Sequence, residues 1–224
     1  MEIDKIVELV KKQLENYEKK RIPIEASGRH IHLSEKDSET LFGKGYNFTP
    51  VKELSQPGQF ACKERVRLVG PKGVIEGVVI LGPTREKTQV EISLTDARIL
   101  GVKGIIRISG DISDTPGIIV TNQDKVLNLS EGVIVARNHI HMTPEDAITM
   151  NVKDKQLVKV KVFSKRPLIF EDVLIRVTDK SKFAMHIDYD EANACLLEKD
   201  SYGVIYEWSG LNWNNKKRNW KILF

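Results

Sequence analysis

One segment of this 224-residue chain occurs twice, and the duplication constrains the fold more than any other feature. Arg29-His30-Ile31-His32-Leu33-Ser34-Glu35-Lys36-Asp37 lines up with Asn138-His139-Ile140-His141-Met142-Thr143-Pro144-Glu145-Asp146. Each copy reads as a strand carrying His-Ile-His, followed by a helix start. Ser34 and Thr143 are N-cap residues with an acid in the first turn behind them, and Pro144 suits the first helical position. A second alignment sets Gln89-Val90-Glu91-Ile92, before Asp96-Ala97, against Ala184-Met185-His186-Ile187, before Glu191-Ala192. In it Glu91 takes the place of His186. The two alignments use different offsets, which implies two related β units whose loops differ in length.

The rest of the chain fits that reading. Short β-rich runs cover residues 66–70, 73–82, 89–94, 104–110, 117–122, 132–142, 157–163, 168–178 and 184–190. Gly, Pro, Asn and Asp punctuate them, so hairpins and a barrel or sandwich are expected. The expectation is a mainly β fold of two related β-barrel domains, residues 21–130 and 131–200, with short capping helices. Residues 3–19 precede them as an amphipathic helix: Ile3, Ile6, Val7, Val10, Leu14 and Tyr17 recur at helical spacing, and Arg21-Ile22-Pro23 ends the pattern. Segment 1–20 is read either as a helix packed on its own domain or as a docking and targeting segment. Residues 201–224 form a divergent tail with all three tryptophans. It is read as a divergent final strand plus a disordered end, as a docking segment for a shell or partner, or as a frame-shifted terminus.

In a strand, residues i and i+2 share a face, about 6.5–7 Å apart. Two imidazoles so placed can converge on one ion at about 2.0–2.1 Å. His30 with His32 and His139 with His141 form two such pairs, and His186 takes the matched position of Glu91, so the repeat accounts for all five histidines. The candidate triples are His30, His32, Glu91 and His139, His141, His186. Three protein ligands leave a position open, the pattern of catalytic rather than structural sites. Nitrogen and carboxylate donors suit two zinc ions, with cobalt, manganese and nickel as alternatives. The competing reading is histidines satisfied by ordinary hydrogen bonds.

Gly82-Pro83-Thr84-Arg85 is a turn that presents a guanidinium just before the Glu91 run, and arginine grips phosphate through two parallel hydrogen bonds. Gly70-Pro71-Lys72-Gly73 is a hairpin turn that offers a lysine to a polyphosphate ligand or simply to solvent. No Walker loop, dinucleotide fingerprint or Gly-x-Ser-x-Gly elbow occurs, which leaves nucleotide hydrolysis, hydride transfer and α/β-hydrolase chemistry without support.

Charge excludes other partners. The net charge of +4 resides in the tail, where Lys216, Lys217, Arg218 and Lys221 face no acid from Trp208 onward. The body is neutral, so nucleic-acid binding by bulk electrostatics is not expected. No run of about 18 apolar residues suggests a membrane-spanning helix. The first twenty residues are too charged for a secretory signal, and Cys62 and Cys195 form no CxxC pair. A reducing cytoplasm and two packing cysteines are expected.

Five motifs together carry a resemblance to a known family: Ser27–Ser34, Leu54-Ser55-Gln56-Pro57-Gly58-Gln59-Phe60, Val69–Gly73, Leu81-Gly82-Pro83 and Asn138–Pro144. Over about Pro23 to Glu198 the chain resembles the PduL-type phosphotransacylases, the phosphate propanoyltransferase family. The resemblance implies two β-barrel domains around a dinuclear zinc site and the reversible reaction of a short acyl-CoA with phosphate to give acyl phosphate and CoA. It implies the two ligand triples above, Arg85 as the phosphate-binding residue, and Ser27, Lys72 and Asn193 along the CoA path. Family members commonly have Asn where this chain has Gly28. The family also implies a homodimer and, in many members, residence in a bacterial microcompartment, with an N-terminal helix that docks on shell or core proteins. A two-metal hydrolase and a non-catalytic zinc module are the rival functional classes.

Overall fold

The computed structural model describes residues 2–206. In chain order, α1 (Glu2–Lys19) leads into β1 (Ile22–Ser27), β2 (His30–His32) and α2 (Glu35–Phe42). Then come β3 (Pro50–Glu53), β4 (Phe60–Val69), β5 (Val74–Gly82), β6 (Gln89–Glu91) and α3 (Leu94–Leu100). Next are β7 (Ile106–Arg107), β8 (Ile118–Asn122), β9 (Lys125–Leu129), β10 (Val133–Ala136), β11 (His139–Met142) and α4 (Pro144–Met150). The described chain ends with β12 (Leu157–Phe163), β13 (Leu168–Val177), β14 (Ala184–Asp188), α5 (Tyr189–Ala194) and β15 (Tyr202–Ile205).

The fold is mainly β, as expected. Six strands close into a barrel, β1-β14-β11-β13-β12-β15. The other nine form an open sheet, β7-β10-β6-β2-β5-β4-β8-β9, with β3 on β4. The barrel order β15-β1-β14-β11-β13-β12 matches the sheet order β7-β10-β6-β2-β5-β4. Pairing senses match from β1 and β10 onward: parallel, antiparallel, parallel, antiparallel. Even the irregularities correspond. Gly77 in β5 and Asp172 in β13 both have positive φ, 69° and 57°, two residues before the partners of His30 and His139. The duplication read from nine residues therefore extends over six strands.

Closure separates the two halves. β15 pairs antiparallel with both β1 and β12 and completes the barrel. Its counterpart β7 has two residues and pairs only with β10, while β4 turns its free edge to β8. The two sheets also exchange a strand. β1 lies in the barrel although it precedes the sheet, and β10 lies in the sheet although it precedes the barrel strands. A cut between residues 130 and 131 thus does not separate the sheets, and the barrel continues past residue 200 to Ile205. The chain crosses between sheets at Gly28-Arg29 and again at Arg137-Asn138, immediately before each His-Ile-His triplet.

Strand alternation fixes what each triplet does. Ile31 and Ile140, the central residues, are fully buried in the sheet core and the barrel core respectively. Their neighbours must then face the opposite side. Helix starts hold the ends in place. Ser34 Oγ accepts from the Asp37 amide at 3.1 Å and Thr143 Oγ1 from the Asp146 amide at 3.2 Å, with Pro144 in the first turn. The run 89–94 was expected to be all strand, yet it ends at Glu91. Ser93 and Asp96 form a capping box that starts α3 instead, and Asp188 with Glu191 does the same for α5. The run 104–110 yields only β7.

Helix α1 corrects one expectation. Its described apolar side chains do not pack on its own domain: Ile3, Ile6, Val7, Leu9 and Val10 are all exposed. The side chains of Leu14 and Tyr17 lie outside the described residues, as does the tail beyond Tyr206. Of the tail readings, the final strand is realised in β15.

Candidate metal centre

Each triple is assembled by register. In the antiparallel pair β2–β6, His30 stands opposite Glu91. In the matching pair β11–β14, His139 stands opposite His186. His32 and His141 follow two residues later on the same face. The ligand atoms of His30, His32 and Glu91 all lie within 4.8 Å of one another, and so do those of His139, His141 and His186.

The residue before each triplet is tied to the helix that follows the cluster. Arg29 makes two bonds to Asp96, 2.9 Å and 3.1 Å long, and Asn138 donates to Glu191 Oε1 at 2.6 Å. Those acids are the capping-box residues of α3 and α5. The crossover peptide is bonded as well. His30 Nδ1 lies 2.8 Å from the Gly28 carbonyl, and His139 Nδ1 lies 2.7 Å from the Arg137 carbonyl. A carbonyl only accepts, so each Nδ1 carries the proton and each Nε2 presents its lone pair to the cluster.

Burial then sets the charge. It pushes His32 down to about 3 and His141 down to about 3, each helped by neighbouring histidines, and His139 down to about 4. His186 is lowered too, again by burial first. These imidazoles are neutral near pH 7, the form that binds metal. His30 differs. Burial would lower it, but the Glu91 carboxylate outweighs burial and raises it. Glu91 in turn, though buried, is held well below the usual carboxylate range by His30 and by hydrogen bonds. Its Oε1 accepts from Gln89 Nε2 at 2.6 Å and from Ser109 Oγ at 2.7 Å, which leaves Oε2 for the cluster, 3.5 Å from His30 Nε2.

The donor sets fit a divalent ion. His139 Nε2 and His141 Nε2 approach to 3.0 Å. His32 Nδ1 and His186 Nε2 are buried without a hydrogen-bond partner. Glu25 Oε2 is 3.2 Å from that His186 nitrogen but outside hydrogen-bond geometry. Unpartnered buried nitrogens are costly in isolation, and a cation at the centre of each triple would satisfy them. Two-nitrogen-one-oxygen and three-nitrogen sets suit zinc and its neighbours.

Both clusters face one cleft of about 910 Å³, which Ser27 and Arg85 also line. Arg85 donates to Ser109 Oγ at 3.3 Å, and so reaches the support of Glu91. The expected triples, Ser27 and Arg85 thus come together. Lys72 and Asn193 do not. Lys72 is exposed in its hairpin turn with its stem against Gly101, and Asn193 is exposed on α5. Gly28 packs against a ring: a Cβ there would stand 3.0 Å from Tyr189 Cζ, and Tyr189 also lines the cleft. Sequence reasoning missed Glu25, Lys52, Ser109 and Arg176 in the cleft wall. For Glu25 a signal existed, since it shares a strand face with Ser27.

A mainly β chain whose two repeated halves each aim a His/Glu or three-His cluster into one cleft is built as an enzyme rather than a closed structural module. Residues 23–198 match the family model described as phosphate propanoyltransferase. The chain is 57% identical over 206 residues to a phosphate propanoyltransferase of Sebaldella termitidis, covering 92% of this chain and 98% of that one. It is 60% identical over 182 residues to one of Leptotrichia buccalis (81% and 86%), and 52% identical over 203 residues to one of Enterococcus faecalis (91% and 96%). The chain belongs to the phosphate propanoyltransferase family and is an acyltransferase. No helix among the described residues is long and apolar enough to cross a membrane.

Proposed function

We propose that this cleft transfers a short acyl group, propanoyl by preference, reversibly between CoA and inorganic phosphate, with a zinc ion in each triple. The observation that carries the reading is the convergence of two repeat-related triples and Arg85 on one cleft. His30, His32 and Glu91 would hold one ion, and His139, His141 and His186 the other. Bound there, the ions would supply positive charge to an oxyanion and to a leaving thiolate.

The chain's own residues do the rest. Arg85, half-buried at the cleft wall, offers the planar donor fork that phosphate oxygens accept. A phosphate oxygen attacks the thioester carbonyl carbon, a C–O bond forms, the C–S bond breaks, and CoA leaves as its thiolate. No covalent acyl-enzyme is needed. Cys62 is buried, its thiol is pushed up to about 11 by that burial, and neither it nor Cys195 lines the cleft. Ser27 borders the path of the CoA thiol end. Lys72 and Asn193, outside the cleft, are placed along the CoA path by family resemblance alone.

The assay is CoA release from acetyl-, propanoyl- and butanoyl-CoA, with and without phosphate, before and after chelation. Release should require phosphate and fall on metal removal. Release that ignores phosphate would mean a hydrolase, and acyl-protein trapped by rapid quench would end the direct route. The exposed apolar face of α1 supports a docking role toward microcompartment proteins in the cytoplasm, and the family supports a homodimer.

A further inference from the structure

The two clusters are built alike but edged differently. On the barrel side, Glu25 of β1 stands beside His186, and Arg176 of β13 stands beside His141. The sheet side has Ile134 beside Glu91 and Leu81 in the position that matches Arg176. The duplicated scaffold therefore does not require a guanidinium there. A half-buried cation has nevertheless been set next to a cluster made of three imidazoles.

Arg176 has no counter-charge among the described residues. Among the described residues it makes no ion pair and no hydrogen bond, yet its side chain lines the cleft. Of the three carboxylates that line the cleft, Glu53 is exposed, and the two that border the clusters are engaged elsewhere. Glu91 faces His30, and Glu25 accepts from the Ser55 hydroxyl at the far edge of the barrel cluster. Arg85 comes from the sheet side and feels the Arg176 charge across the cleft. Glu91, which Arg85 feels more strongly than it feels Arg176, belongs to the sheet side with Arg85, so it leaves the repulsion between the two guanidinium groups on the barrel side for an anion to relieve. Glu25 at the opposite edge disfavours an anion on the β1 side, which leaves the β13 side for it.

We infer that Arg176 is a second phosphate-positioning residue, which clamps the attacking phosphate against the barrel cluster while Arg85 holds it from the sheet side. This rests on the proposed acyl transfer to phosphate. It adds to that reading an asymmetry: phosphate belongs to the barrel edge of the cleft, next to β13. The chemistry is that of a planar fork on a tetrahedral oxyanion, which glutamine and lysine reproduce only in part.

The test uses the full metal-loaded chain, Arg176→Gln and Arg176→Lys. Metal content is measured first, then KM for phosphate and for propanoyl-CoA separately. Loss of a charge-assisted hydrogen bond should raise the phosphate KM of Arg176→Gln roughly 10- to 100-fold, with metal content and acyl-CoA KM little changed. Arg176→Lys should fall between the two, and it decides the matter if the glutamine variant does not fold. A second readout needs no turnover. Inorganic phosphate alone should raise the melting temperature of the wild type and do so less in the variants. An unchanged phosphate KM, or a rise confined to acyl-CoA, would overturn the inference. Wild-type CoA release without phosphate would instead overturn the acyl-transfer reading itself.

Discussion

With no metal in its histidine clusters, this protein should be acid-labile well above the pH at which carboxylates titrate. The cause is the set of buried imidazoles. His32, held at about 3, and His139, held at about 4, refuse a proton that the unfolded chain accepts at the ordinary 6.5. A histidine lowered in the folded state loses stability as pH falls through the unfolded value. Nothing changes above about pH 6.5, and the loss continues down to the folded value. Between pH 6.5 and about pH 5, each such group removes roughly 2 kcal/mol, or about 4 kcal/mol for the two. His141 and His186, less buried, add a smaller loss of the same sign. His30 does not compensate. It is raised by Glu91, so its contribution is complete below 6.5 and fades only as pH rises through its folded value. Glu91 is lowered, and its contribution falls away only below its ordinary 4.5.

About 4 kcal/mol is a large share of the 5–15 kcal/mol that holds a domain folded. The assay is urea unfolding of the chelated protein near pH 7 and at about pH 5. With an m-value of about 2 kcal/mol/M, the midpoint should fall by roughly 2 M. The comparison is the double variant His32→Asn, His139→Asn, which lacks the two most buried of the histidines that burial lowers. It should lose less than half as much over the same interval. Equal losses in the two proteins, or a midpoint that does not move with pH, would refute the claim that the clusters hold neutral imidazoles.

Three further outcomes are expected. Ile140→Ala should cost about 2–5 kcal/mol, because the side chain is fully buried in the barrel core; denaturant unfolding measures it, and Ile31→Ala should behave alike in the sheet. Gly28→Asn should displace the Tyr189 ring, since a Cβ already reaches 3.0 Å from Cζ; stability should change by less than about 1 kcal/mol because Tyr189 is half exposed, and acyl-CoA KM should move if the ring borders that substrate. Removing residues 1–20 should leave the melting temperature and acyl transfer unchanged, because the described apolar side chains of α1 contribute no buried core.

The site was legible in the sequence to the extent that its parts repeat. His-Ile-His announces itself because strand alternation forces a buried centre and two residues on the other face. Glu91 was legible only through His186: a lone glutamate in a β run carries no signal, and the matched strand supplies one. The register confirms the match, since Glu91 and His186 stand opposite the first histidine of each triplet. The strand exchange was not legible, because alternation says which face a residue takes and nothing about which sheet the strand joins. Arg176 was hidden for a different reason. In β13, Asp172 turns to φ 57°, and after it Val173, Leu174 and Ile175 are all buried in succession. Counting by twos from Leu168 therefore loses the face before it reaches residue 176. The same irregularity at Gly77 precedes Leu81 in the other half. A bulge in the matched place re-aims the end of each strand toward the cleft. What stands at that end, a leucine on one side and an arginine on the other, is where the duplicated halves part in chemistry.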